Sequence, residues 1–456
     1  MQPSRLILIE FNELCSALLD RFMERGWIPN FRRFYESSSV YITDAAEKPE
    51  HLEPWIQWPT VHSGMPFADH GVFHLGDGRR LKEKCLADLL SDAGITVGVC
   101  GSMNMNYGRL RGYAMPDPWD KNGSAHPDWL QPFCRTVARQ VQDSSRDRGL
   151  SQKEMAAFGW FLLRHGLTPS TAMAVVRQLI AERRDPGLRW RRACLLDRLQ
   201  YDVFRSLNRR LDVRFATFFC NSTAHFQHYY WRNLEPEHFD VPPPQSDHPS
   251  LKHAISFGYR AMDRLLGRFM ADYPDAILIL CTALSQQTWS DTTKCTFRPR
   301  QFDTFLEFAR VRVDGTSIKP VMAEQFHVEC FSPEQAEQAE SRFRDLFVEE
   351  EPLMTVRREG SSLFAGCRVT DTAVLDRPVL RRSDGARRPF GELFNMVHSM
   401  RSGRHHPDGV LWIRNGHHRL VKDKIPLTAI APTILTHFGV HSPTYMKEEP
   451  LSVSRP

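Results

Sequence analysis

The sequence predicts an α/β fold, a mainly parallel central sheet covered by helices on both faces, with a helical insertion and a smaller α+β cap. Three observations carry that expectation. The short apolar runs in "RLILIEFNE", "ITVGVCG", "RFATFFCNS" and "AILILCTALS" have the length of buried strands. Stretches of helical period stand between them, which is the rhythm of a sheet covered on both sides. The chain has 456 residues, 41% hydrophobic and 25% charged, the balance of a globular protein large enough for such a sheet with insertions.

The elements follow in order. "RLILIEFNE" feeds a helix in which Leu14, Leu18 and Phe22 recur at helical spacing, stopped by Gly26 and Pro29. "LKEKCLADLLSDAG" reads as helix and "ITVGVCG" as the strand after it. "RFATFFCNS" and "AILILCTALS" are two more strands, with the helix "RAMDRLLGRFMADY" before the second. "GVLWIRNG" and the helix "IAPTILTHFGV" complete a core assigned to residues 1–130, 211–294 and 401–456. Residues 131–210 read as a basic helical insertion, and 295–400 as an α+β cap. In that cap "FLEFARVRVDG", "EEPLMTVRREG" and "SLFAGCRVTD" are expected as antiparallel strands around the helix "SPEQAEQAESRFRDLF". "DVPPPQSDHPS" is a proline-rich connector. Ligands bind outside the C-terminal ends of the strands in such sheets, so loops beginning at Glu10, Asn221 and Thr282 are expected to converge.

The net charge of +5 gives no licence for nucleic-acid binding. No uninterrupted apolar segment is long enough to span a bilayer, and the N-terminus lacks the pattern of a signal peptide. The ten cysteines are scattered without a CxxC pair, so a reducing cytoplasm is expected and a Cys-ligated zinc is not.

Several stretches, in order from about residue 5 to 445, resemble the type I phosphodiesterase/nucleotide pyrophosphatase branch of the alkaline phosphatase superfamily. These are "LILIEFNELCSALLDRFMERGWIPNFRRF", "WPTVHSG" with "DHGVFH", "HFQHYYW", "GRHHPDGVLWI" and "AIAPTILTHFGVHSP". The resemblance implies an alkaline-phosphatase-like fold. It also implies two divalent metals that activate a hydroxyl nucleophile and hold phosphate oxygens. Carried over by position, the nucleophile falls on Thr60, pictured in a tight turn between Pro59 and Gly64. The first Asp ligand falls on Asn12, and the central pair on Ala224 and His228. The next Asp-His pair falls on Ala283 and Leu284, and the last His on His405. Only Thr60, His228 and His405 match, and every carboxylate is missing.

A conventional two-metal centre is therefore not expected. One divalent metal, zinc or manganese, on His228 and His405 remains open, with His225 as a further ligand or acid/base group and Glu10 as a source of charge. The altered turns are rich in polar groups, and Glu10, Asn12, Glu13, His62, Asn221, Gln286 and His406 are expected to line a substrate pocket. The leading expectation is an enzyme of phosphodiesterase or phosphohydrolase type acting on a phosphate- or sulfate-bearing small molecule or glycan. Its alternatives are a non-catalytic pseudoenzyme binding such a ligand and a metal-independent group transferase. For Thr60 the bland reading is a helix cap, and for Glu10 a structural ion pair.

Overall fold

The computed structural model describes residues 4–120, 123–142, 151–239, 242–243, 245, 247–289, 296–311, 317–320, 325–396 and 402–453. Part of the expected connector (240, 241, 244 and 246) lies outside them. The chain divides into two compact units, one of Met1–Leu234, Gln245–Thr288 and Gly403–Pro456, the other of Glu235–Pro244 and Trp289–Ser402.

The first unit is built on a nine-stranded sheet. Eight strands run side by side in the order Arg419–Leu420, Ser38–Asp44, Asp408–Arg414, Ile277–Cys281, Leu6–Phe11, Phe215–Cys220, Val97–Cys100 and Gly112–Met115. The ninth, Ile425–Pro426, pairs with Ser38–Asp44. Leu6–Phe11 runs parallel to both its neighbours, and Val97–Cys100 is parallel to both of its own. Asp408–Arg414 is antiparallel to the strands on either side of it. The fold class is the one expected, α/β with a mainly parallel sheet.

Alternation along the strands divides the core between the two faces. Leu6, Leu8, Phe215 and Phe219 pack with Trp58, Leu86, Leu90, Ile430 and Ile434 from the helices Pro54–Ser63, Leu86–Asp92 and Ile430–His437. Phe218, one residue out of phase, packs on Tyr201, Phe204 and Phe269 of the helices Arg192–Arg210 and Ala254–Asp272. Buried on both sides, the central strands are apolar almost throughout, which is why "LILIEF" and "ILILC" were legible as strands.

The second unit contains two four-stranded antiparallel sheets and the helix Pro333–Arg344, around Phe305, Phe326 and Phe343. One expectation is corrected here. The start of "FLEFARVRVDG" belongs to a helix, Phe302–Ala309, and not to a strand. Phe302, Phe305, Leu306 and Ala309 recur at helical spacing and share one packed face, which outweighs the local alternation.

Candidate functional site

Asn12 and Glu13 follow directly on the strand Leu6–Phe11. Glu13 holds φ +61°, in the left-handed region that side chains rarely adopt. The turn is pinned from beneath. Gln227 Nε2 donates to the Glu13 carbonyl at 2.6 Å, and the Tyr259 hydroxyl donates to Gln227 Oε1 at 2.6 Å. Backbone strain of this kind persists where the surroundings over-determine it.

The turn delivers a buried carboxylate to a cluster of nitrogens. Glu13 Oε1 accepts from Asn12 Nδ2 at 2.8 Å, and Oε2 accepts from Gln286 Nε2. His228 Nε2 lies 3.1 Å and His405 Nε2 3.4 Å from the same Oε2. Burial alone would raise the Glu13 carboxyl pKa, but the two imidazoles beside it hold it well below the ordinary value. His228 comes from the helix Ser222–Leu234 and His405 from the strand Gly403–His406, with ring centroids 5.1 Å apart.

The far side of each ring meets a further acceptor. His228 Nδ1 lies 3.4 Å from the Gly403 carbonyl oxygen, which can only accept. His405 Nδ1 lies 3.4 Å from Glu53 Oε2. Both Nε2 atoms face the same carboxylate oxygen, an arrangement that protons on them or a bound cation would satisfy. The ligand atoms of Glu13, His228 and His405 all lie within 4.8 Å of one another, and a carboxylate with two imidazoles is a donor set that suits zinc-class ions. Gly403 is required for this approach, since a Cβ there would lie 2.6 Å from both the Gln227 carbonyl and Gln286 Oε1.

The strand-end loops do converge, and Glu13 rather than Glu10 brings the carboxylate to the histidines. Asn12 spans the gap between the ends of Leu6–Phe11 and Phe215–Cys220, donating from Nδ2 to Asn221 Oδ1 at 2.8 Å and accepting from Trp58 Nε1 at 2.9 Å. Gln286 also donates to the Ala224 carbonyl at 3.2 Å, and its own Oε1 is buried without a hydrogen-bond partner. The third charged member of the cluster is Glu13. His225 lies on the helix three residues before His228 but is exposed, its ring 4.9 Å from that of Tyr229. His406 alternates with His405 along the strand, so it faces the other way, where Nδ1 accepts from the Asp408 amide at 3.2 Å.

Thr60 is not in a turn, and it does not cap a helix. It sits inside the helix Pro54–Ser63, which runs through Pro59 and ends at Gly64 with φ +66°. Proline at position 59 removes the N–H that would bond the Trp55 carbonyl. Asn104 Nδ2 supplies that hydrogen bond instead at 2.8 Å, and the helix continues. Thr60 Oγ1 lies 3.1 Å from His70 Nε2, while His70 Nδ1 accepts from the Val72 amide at 3.0 Å. His70 therefore carries its proton on Nε2 and donates to Thr60, the reverse of what a general base would do. Burial pushes the His70 pKa down to about 4, with Asp69 opposing. Thr60 opens onto a cavity of about 230 Å³ that it shares with Asp44, Glu47 and Lys447. Seven residues separate it from Glu53, roughly 10 Å along the helix axis.

Glu10 and His62 are also displaced from the expected lining. They pair at 2.7 Å with no exposure at all, beneath the helix Pro54–Ser63, and Ser102 Oγ donates to the other Glu10 oxygen at 2.7 Å. Both act as buried supports of the sheet face. Sequence reasoning missed Glu53. Proline at position 54 marks the first turn of a helix, and that signal would have set the helix start at Glu53.

No protein-family profile matches the chain, and no curated protein matches it. Solved structures do match along its length. Murine ectonucleotide pyrophosphatase/phosphodiesterase 5 has 9% identity and a TM-score of 0.44, covering 96% of each chain. Phosphonoacetate hydrolase from Sinorhizobium meliloti 1021, in complex with phosphonoformate, has 11% identity and a TM-score of 0.42, again covering 96% of each. For wild-type alkaline phosphatase PafA the values are 11% and 0.48, with 100% of this chain and 99% of that one covered.

Proposed function

We propose that the chain is a hydrolase of phosphate-bearing small molecules that works with one divalent cation of the zinc class, held by Glu13, His228 and His405. The observation that carries this reading is the placement of the two imidazoles around one carboxylate oxygen. Each has an acceptor on Nδ1 and turns Nε2 to the same carboxylate oxygen. Outer acceptors that fix the tautomer are the usual companions of metal-binding histidines. A cation bound there supplies Lewis acidity toward a phosphoryl oxygen and lowers the pKa of water.

The protein's own part is positional. Gln286 holds the Glu13 carboxylate, Asn12 ties that turn to Asn221, and Glu53 and Gly403 hold the imidazoles in register. Of the positions the resemblance assigns to a second metal, Ala283 and Leu284 are buried and carry no donor, which leaves only the Asn12 amide. Phosphate ester chemistry is supported by the order of the motifs along the chain. Thr60 is not given the nucleophile's role, because it accepts a hydrogen bond from His70 and lines a cavity whose walls include none of Glu13, His228 and His405.

Titration of the metal-stripped protein with zinc and with manganese tests the reading. One equivalent should bind, and Glu13→Ala, His228→Ala and His405→Ala should each abolish binding. Hydrolysis of a chromogenic phosphodiester should appear with the metal and vanish in the same variants. Full activity without metal, unaffected by loss of both histidines, would overturn the proposal.

A further inference from the structure

The helix Pro169–Arg184 is patterned the wrong way round for a helix that simply covers a globular core. Its buried positions are polar: Thr171, Gln178 and Glu182. They are held in a hydrogen-bonded layer, with Gln178 Nε2 donating to Glu182 Oε1 at 2.8 Å and to the Leu188 carbonyl at 2.9 Å. Arg192 Nε donates to Glu182 and Arg198 Nε to Thr171 Oγ1. The opposite face presents Met173, Val176, Leu179 and Ile180, each about half exposed, flanked by exposed Arg177, Arg183 and Arg184.

The preceding helix, Gln152–Arg164, repeats the theme. Phe158 and Phe161 turn inward to stack on Phe133, while Trp160 and Leu163, 63% and 65% exposed, point outward beside exposed Lys153 and Arg164. Charge follows the same segment. Residues 131–210 contain sixteen Lys and Arg against seven Asp and Glu, more excess positive charge than the whole chain's +5.

We propose that the outward faces of these two helices dock on a membrane surface containing anionic lipid. The combination decides among occupants. A second copy of the chain would set two strongly basic faces together, at a Coulombic cost. A nucleic acid would use the arginines but leave Trp160, Leu163, Leu179 and Ile180 in water. A lipid surface takes both, with apolar side chains entering the headgroup boundary and the guanidinium groups meeting lipid phosphates. No helix among the described residues is long and apolar enough to cross a membrane, so the contact lies in the interface.

Vesicle flotation of the full chain tests this. The protein should float with phosphatidylcholine vesicles containing phosphatidylserine, fail to float with phosphatidylcholine alone, and be released by salt. Arg183→Ala and Arg184→Ala should each lower partitioning about fivefold. Trp160→Glu and Ile180→Glu should abolish it, with thermal melting unchanged because both side chains already face solvent. Three outcomes would overturn the proposal. One is absence of flotation on anionic vesicles, and a second is equal flotation of Ile180→Glu. The third is a concentration-dependent dimer that Ile180→Glu converts to monomer, which would assign the face to a second copy.

Discussion

Glu53 Oε2 stands 3.4 Å from Nδ1 of His405, on the side of the ring away from Glu13. A residue just before a helix thereby meets the outer nitrogen of a strand histidine whose inner nitrogen faces Glu13. Glu53→Gln keeps the size but can offer its oxygen in only one orientation. It should weaken zinc binding about 10- to 100-fold while leaving the fold intact. Zinc titration alongside circular dichroism checks both halves of that expectation.

Gly403→Ala should damage stability and site together. The added Cβ would sit 2.6 Å from a main-chain carbonyl that cannot swing aside. Overpacking of this kind costs about 1–3 kcal/mol. Denaturant unfolding should show that loss, and the variant should also bind metal more weakly, because the Gly403 carbonyl lies against Nδ1 of His228 and a shift there moves the ring.

Asn104→Ala removes the donor that substitutes for the missing N–H of Pro59. The same side chain bonds the His74 carbonyl and the Gly76 amide, and its backbone holds φ +51°. Unpaired buried groups cost about 1–3 kcal/mol each, and alanine is less suited than asparagine to positive φ. A loss of at least about 2 kcal/mol is expected by urea unfolding.

His70 sets a pH dependence. Its pKa is lowered from 6.5 to about 4 in the folded protein. As the pH falls below 6.5 the unfolded chain gains a proton that the native state refuses until about 4. Stability should therefore decline across that window, by a ceiling on the order of 3 kcal/mol. His70→Gln should flatten this part of the profile when melting temperature is followed from pH 7 to 4.

The architecture was legible because its signals are local. Buried strands of five or six apolar residues and helices of clear period announce themselves, and motif order alone singled out His228 and His405, although one lies on a helix and the other within a strand. The site was only half legible because its decisive features depend on backbone conformation and three-dimensional neighbours. The left-handed turn that aims Glu13 has no glycine to flag it. The helix through Pro59 survives through an amide 45 residues further along the chain, so proline and glycine around Thr60 were read as a turn. Glu10 and Glu13 are separated by only two residues, yet strand alternation and the turn send one beneath a helix and the other into the cluster.

The strand Asp408–Arg414 enters the sheet between Ile277–Cys281 and Ser38–Asp44. During synthesis, Ser38–Asp44 is made early and then waits for a partner almost four hundred residues away. Until that partner arrives, both flanking strands keep open hydrogen-bonding edges, and the strand pair that carries His405 does not exist. Nascent chains halted before residue 403 are therefore expected to be sticky and unable to hold a cation, so completion of the sheet and assembly of the site become one event.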